Sequence, residues 1–401
     1  MRNAIMMALV AACNSSHNGS SVDGATGGDS GGRDAAGSSS GSGLHAVMGA
    51  GGSNGSIVDG HNAVVRFHGA DFSGTEYSCL YGAIFDGNSV PATQATVSEM
   101  TSWGIDTVRV PLNEDCWLGI NGVPAATAGS AYQAAIRQWV SLLEQNHMYV
   151  ILDLHWAAPG SDLANSQLGM ADADHAPTFW TEVATAYKGD DSQVVFDLFN
   201  EPFITDWSCW FEGSACATDG SGKTYTTAGM KALLAAVRDA GADNLAILGG
   251  LGYSSEFTHW VDEVSQLAAD SNVAASWHTY SDQNVVTDCP SEYDGYAGTC
   301  ADGSATAANY GITTVLAAGY AVVAGEIGIP ADSTSPPNYT TTQDEMLATW
   351  LESMLAWLDG QGVGYLAWDW SLDSGPLLVT GSDGAPTMYF GQTYKTHLAG
   401  L

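Results

Sequence analysis

Basic residues are scarce in this chain: Lys and Arg number 10 against 44 Asp and Glu, a formal net charge of −34. Nucleic acid and anionic membrane surfaces both require clustered cations, so neither is expected as a partner. No apolar run is long enough to span a bilayer. No glycine-rich loop of the GxGxxG or Walker type opens a helix, which leaves nucleotide binding unsupported; Gly249-Gly250-Leu251-Gly252 follows a strand without the required spacing and reads as a loop. Closely spaced CxxC pairs are missing, which argues against a zinc site. Neither HxH nor HExxH is present, which argues against a metal-dependent hydrolase. No cofactor is called for, and no internal repeat suggests a solenoid.

What is present begins with an export pattern. MRNAIMMALVAAC has Arg2, an apolar run and then small residues. Its end, Val10-Ala11-Ala12-Cys13, resembles the lipoprotein box of bacteria, in which the cysteine is lipidated; the alternative is a simple signal peptide with an incidental cysteine. Residues 1–13 are thus expected to direct export to the outer surface of a bacterium or beyond it. Residues 14–43 are rich in Ser and Gly and unable to bury a core, a flexible tether. Setting Cys13 aside leaves six of the seven cysteines, an even number suited to an exported chain. Proximity suggests Cys209–Cys216 and Cys289–Cys300, leaving Cys79 with Cys116.

Residues 44–401 read as one domain. Apolar strands are expected at Val64–His68, Thr107–Val110, Tyr149–Leu154, Val194–Phe199, Leu245–Leu248, Val273–Trp277, Ala321–Ala324 and Gly364–Ala367. Between them, helical spacing marks Thr93–Trp103, Ala131–Asn146, Asp174–Tyr187, Thr226–Ala240, Phe257–Ala268, Ala305–Ala318 and Thr342–Leu358. The strands are near-continuous apolar runs, the pattern of parallel strands covered on both faces. Eight such units call for an α/β fold, a (β/α)8 barrel with enlarged loops.

The carboxyl end of each barrel strand is where chemistry gathers. There the sequence puts Arg109, His155-Trp156, Asn200-Glu201-Pro202, His278-Thr279-Tyr280, Glu326 and Trp368. A lone histidine at a strand end is more often structural, but this concentration at one rim is hard to explain that way. Glu201 and Glu326 fall on the fourth and seventh strands, facing each other across the barrel. Two facing carboxyls with aromatic platforms are the machinery of glycoside hydrolysis.

This set, with the stretches RVPLNEDCW, ILDLHW and VVFDLFNEP, resembles glycoside hydrolase family 5, a family of retaining barrel enzymes, from about Val64 to the C-terminus. The resemblance implies Glu201 as general acid/base and Glu326 as nucleophile, oriented by Arg109 and Tyr280. Burial and the charge of Glu326 would both raise the pKa of Glu201. Asn200 would bind the sugar 2-hydroxyl, His155 and His278 would position Glu201 and sugar hydroxyls, and Trp368 and Trp156 would stack on sugar rings. The implied activity is an endo-β-1,4-glucanase acting as a monomer on a polysaccharide. An endo-β-mannanase or other β-glucanase of the family is the alternative. A non-catalytic carbohydrate-binding barrel would predict loss of Glu201 or Glu326, and both are present. Trp207 and Trp210 either extend the cleft or pack their loop; Trp103, Trp139, Trp180, Trp350 and Trp357 are read as core. Asp153 and Asp197, inside strands, are read as internal hydrogen-bonding groups.

Overall fold

The computed structural model describes residues 43–189, 193–268, 272–280, 312–331, 340–373 and 375–401. The export segment, nearly all of the tether, Cys289 and Cys300, and the first part of the expected Ala305–Ala318 helix lie outside the described residues. Eight strands, each paired in parallel with its neighbours, close a barrel: His68–Asp71, Thr107–Asn113, Tyr149–Trp156, Val194–Asp197, Ala246–Gly249, Val273–Tyr280, Val322–Gly328 and Gly364–Ala367. Helices alternate with them, including Gln94–Ser102, Ser130–Gln145, Ala176–Tyr187, Met230–Asp239 and Thr341–Gln361. The fold is the expected (β/α)8 barrel.

Three of the boundaries that differ from the sequence reading do so for a local physical reason. The first barrel strand is His68–Asp71, not Val64–His68. Val64–Val65 instead pairs antiparallel with Ser56–Val58, which pairs with His45–Val47, and Val64 is 62% exposed. The true strand has little apolar character because its neighbours crowd it: a Cβ at Gly69 would lie 2.6 Å from the Thr107 carbonyl oxygen and 2.7 Å from Leu366 Cγ. The second strand runs through Pro111 to Asn113. Its pairing with the first strand ends at Arg109, so on that side Pro111 removes no ladder hydrogen bond. The helix expected from Thr226 begins at Met230, because residues 217–225 form a small hairpin and Gly229, at φ 75°, precedes the helix.

Period-two alternation sorts each barrel strand into a helix side and a lumen side. Val150, Leu152 and Leu154 join the core under the helices together with the buried Trp103, Trp139 and Trp180. Ile151 points the other way and packs with Val195, Ile247, Val323 and Leu366, and with Leu44 and Ile57 of the N-terminal sheet. The lumen therefore has an apolar floor. On the third strand the next lumen positions are Asp153 and His155, so polarity rises towards the carboxyl rim.

Disulfides join Cys79 to Cys116 and Cys209 to Cys216. The first ties the loop after the first strand to the helix Glu114–Leu118 after the second, across 37 residues. Closing a loop of that length stabilises by about 3–4 kcal/mol through the unfolded chain. The double variant Cys79→Ser/Cys116→Ser is expected to lose about that much in urea unfolding, with an m-value at least as large as the parent's because the denatured chain is no longer cross-linked; an unchanged midpoint would contradict it.

Candidate active site

Arg109, fully buried on the second strand, is the hub of the lumen. Its Nη1 donates to Asp71 Oδ1 at 2.9 Å and to Glu326 Oε1 at 2.8 Å. Its Nε donates to Asp197 Oδ2 at 3.1 Å, and its Nη2 reaches Asp153 Oδ2 at 3.0 Å and Asn200 Oδ1 at 2.8 Å. Four carboxyl groups from the first, third, fourth and seventh strands thus converge on one guanidinium. One positive charge cannot balance four negative ones in a desolvated space, so protons make up the difference. Burial pushes Asp153 up to about 7 and lifts Asp71 and Asp197 well above the usual carboxylate range, each opposed by Arg109. Asp153 and Asp197 are the internal hydrogen-bonding groups expected of them. Asp71 escaped the sequence reading because its strand did.

The two glutamates stand in contrasting settings. Glu326 accepts from Arg109 through Oε1 and from the Tyr280 hydroxyl through Oε2 at 2.5 Å. Burial and the nearby Glu326 raise Tyr280, so it stays a donor. Glu201 is held by neutral groups: His278 Nδ1 lies 3.1 Å from Oε1, and Gln167 Nε2 donates to Oε2 at 2.9 Å. Burial raises Glu201 above its usual value, with Gln167, His155 and Arg109 opposing in that order. Burial is thus the cause of the rise, while the charge of Glu326 is met by Arg109. Glu201 also adopts φ 48°, a left-handed conformation uncommon for a residue with a side chain and characteristic of functional sites.

The histidines are uncharged near neutrality: burial depresses His155 to about 4 and His278 to about 3. His278 Nδ1 faces Glu201 Oε1 and lies 3.6 Å from Glu326 Oε2, so the ring proton belongs on Nδ1. A Cβ at Gly325 would come within 3.0 Å of His278 Nε2 and 2.6 Å of Ser276 Oγ, so a side chain there would push Ser276 or the His278 ring from its place. His155 meets Asp153 Oδ2 at 2.6 Å and Asn200 Nδ2 at 3.4 Å, and its ring stacks on Trp368 at 5.5 Å and 13°. Its hydrogen bonds therefore go to Asn200 and Asp153, and those to Glu201 come from His278 and Gln167. Because Asn200 Oδ1 is bound by Arg109, its amide nitrogen is turned away from the guanidinium; one N–H faces His155 Nε2 and the second remains to donate.

Trp368 is nearly covered, and Trp156 is half-buried beside Tyr77 at 6.2 Å. Trp210 is fully buried and bonds the Gly249 carbonyl; Trp207 packs edge-on against it and donates to Glu256, so both serve the packing of their loop. Sequence reasoning missed Gln167, Tyr253 and Glu76. Tyr253 sits at φ 61° in an irregular helical turn, Leu251–Ser254, where a loop was expected, and stacks on Phe203 at 5.2 Å. Glu76, buried after the first strand, is pushed up to about 8 by desolvation. Glu201, His278 and Glu326 offer three donor atoms within 4.8 Å of one another, the one set among the described residues that could hold a metal ion. Arg109, bonded to Glu326, competes with any cation there, and the same atoms already form a hydrogen-bonded network suited to proton transfer.

A parallel barrel carrying two converging glutamates at its carboxyl rim belongs to the class of barrel enzymes that work with paired carboxyls. Residues 65–374 match the cellulase family, glycosyl hydrolase family 5, and the chain belongs to that family. It is 28% identical over 151 residues to an endoglucanase of a Microbulbifer strain, covering 38% of this chain and 25% of that protein. It is 23% identical over 338 residues to a mannan endo-1,4-beta-mannosidase of Streptomyces lividans, covering 82% of this chain and 69% of the other. The chain therefore spans a quarter of the first relative and about two thirds of the second. Its fold is similar to a beta-glucanase of Saccharophagus degradans solved with cellotetraose: TM-score 0.60 at 15% identity, covering 89% of this chain and 93% of that one.

The buried acids set the pH dependence of stability. Asp153 and Glu76 keep protons in the fold up to about 7 and 8, while free carboxyls at 3.8 and 4.5 have lost theirs. The folded state then binds more protons than the unfolded one, so stability falls as pH rises through that window. The histidines, depressed from 6.5, act in the opposite direction but only below about pH 6.5. The midpoint of thermal unfolding is expected to drop between pH 6.5 and 8.5. A midpoint that rises over this interval would show that the acids are not protonated in the fold.

Proposed function

We propose that the protein is a retaining endo-β-glycosidase that hydrolyses β-1,4-glucan by double displacement. One observation carries the mechanism: carboxyl oxygens of Glu201 and Glu326 lie within 4.8 Å of each other. Inversion needs room for a water between carboxyls roughly 6.5–9.5 Å apart, whereas retention works at about 5–5.5 Å. Glu326, anchored by Arg109 and Tyr280, attacks the anomeric carbon. Glu201, whose hold on a proton is strengthened by burial, passes its proton to the departing glycosidic oxygen, leaving a glycosyl-enzyme ester on Glu326. Esterification removes the charge of Glu326, which leaves Glu201 as the carboxylate that takes a proton from water as that water attacks the same carbon. Glu326 leaves, and both glutamates regain their starting states.

Asn200, its oxygen fixed by Arg109, offers its amide nitrogen to the 2-hydroxyl of the sugar at the cleaved bond. Trp368, braced by His155, forms the floor beneath that sugar, and Trp156 extends the apolar surface. A β-mannan is the second substrate reading, favoured by the long alignment with the Streptomyces lividans mannosidase. The two sugars differ at the 2-hydroxyl, the group that Asn200 would bind.

The same proposal covers location and organisation. Export is supported by the two disulfides; anchoring through Cys13, a tether over residues 14–43 and a monomeric catalytic domain over 44–401 complete the reading.

Reducing-sugar release from carboxymethylcellulose, barley β-glucan, laminarin and mannan tests the substrate. Release from the first two alone supports the glucanase reading; release from mannan or laminarin alone moves the substrate and keeps the mechanism. Glu201→Gln is expected to lose roughly 10²–10⁴-fold in turnover with the fold intact, and Glu326→Gly to lose at least as much but form a glycosyl azide when azide is supplied. Unchanged turnover in Glu201→Gln would sink the mechanism. Cys13→Ser should release the chain from the membrane fraction; a variant that fractionates like the parent rules the anchor out.

A further inference from the structure

Gln167 lies in the long loop after the third barrel strand and takes no part in the bond-making steps of the proposed mechanism. Its Nε2 is 2.9 Å from Glu201 Oε2 and 3.4 Å from the Glu201 carbonyl oxygen. The carbonyl can only accept, so the amide must present its N–H groups to Glu201, and the orientation of the side chain is fixed chemically. His278 covers the other oxygen, Oε1. Each carboxyl oxygen of Glu201 therefore has its own neutral donor.

The loop is built to hold Gln167 still. Ala164 is clamped from both sides, its N–H by Asp115 Oδ2 at 2.8 Å and its carbonyl by Asn113 Nδ2 at 2.7 Å. Met170 is clamped likewise: its N–H donates to the Tyr225 hydroxyl at 3.1 Å, and that hydroxyl donates to its carbonyl at 2.7 Å. Between these clamps, the Gly169 carbonyl accepts from Phe203 N–H at 3.0 Å, two residues beyond Glu201. Any Cβ at Gly169 would press on Ile204 and Phe203 at 3.3–3.4 Å, so the loop lies close against the segment that carries Glu201. Gln167 stands midway in sequence between the clamps.

We propose that Gln167 is a positioning residue for Glu201, fixing Oε2 and supplying the hydrogen bond that favours the carboxylate when Glu201 must act as base. This rests on the reading of Glu201 as acid/base. Without the donor, the ionised form loses a charge-assisted hydrogen bond, and Glu201 holds its proton to higher pH. The step that needs a carboxylate slows, and the first step loses the alignment of the proton with the leaving oxygen.

The test compares the parent with Gln167→Met, which keeps length without polarity, and Gln167→Glu, which keeps shape but replaces the neutral donor by a second carboxyl. The alkaline limb of kcat/KM on barley β-glucan is expected to move up by about one pH unit in Gln167→Met, and at least as far in Gln167→Glu. Turnover of the glucan should fall about tenfold. 2,4-Dinitrophenyl β-cellobioside, whose leaving group needs no proton, should keep kcat/KM within about twofold of the parent. Titration of the Glu201 carboxyl by ¹³C NMR, its resonance assigned with Glu201→Gln, should show the same upward shift in the absence of substrate. A carboxyl that titrates identically in parent and Gln167→Met overturns the inference, as does an equal loss on both substrates. If the carboxyl shifts but Glu201→Gln still hydrolyses glucan normally, Gln167 positions Glu201 and the acid/base reading is what fails.

Discussion

The site depends on one guanidinium. Arg109 bonds Asp71, Asp153, Asp197 and Glu326 and fixes the oxygen of Asn200, with no solvent to share the work. Its planar fork of donors can serve several acceptors in fixed directions, which the point charge of a lysine cannot. Removing it would strand buried carboxyls without a cation, so the same residue that orients the site also keeps the barrel lumen intact. The apolar floor beneath it, from Ile57 to Leu366, seals that lumen and makes the electrostatics above it strong.

Two chemically identical side chains acquire different roles from this arrangement. Glu326 is held by a cation and a phenolic donor; Glu201 is held by burial and two neutral donors. Under the proposed mechanism the first setting, with Arg109 beside it, suits the nucleophile, and the second suits an acid that can hold and release a proton. The histidine between them cannot blur this distinction, because burial keeps it uncharged. Its one ring proton is aimed at Glu201, and the glycine at 325 is the space it needs.

Much of this was legible in the sequence because buried parallel strands announce themselves. VVFDLFNEP and ILDLHW are apolar runs with polar residues set at lumen positions or at the carboxyl end, and the fold places Asp197, Asp153, His155 and Glu201 accordingly. His68–Asp71 was not legible: a strand made of His, Gly, Ala and Asp has no apolar signature, since close packing against Thr107 and Leu366 replaces side-chain burial. The neighbouring Val64 and Val65 drew the assignment away. Gln167 was invisible for a different reason. Its position is set by clamps from Asp115, Asn113 and Tyr225, contacts between distant loops that no local period records.

The shortage of basic residues takes on a local meaning in the lumen. Among the described residues Arg109 is the one cation bonded to this set of four carboxyls, in a chain where acids outnumber Lys and Arg 44 to 10. Charge balance inside the barrel is therefore kept by protons and not by further cations, as the raised positions of Asp71, Asp153 and Asp197 require. A lumen balanced in this way responds to pH as a unit. In the proposed mechanism, when Glu326 loses its charge to an ester, Arg109 becomes more fully available to the three aspartates, and the same step leaves Glu201 as the nearby group that must become an anion. The hub thus links the charge on one glutamate to the setting of the other, and a neutral amide such as Gln167 can favour the carboxylate of Glu201 without adding a charge to that balance.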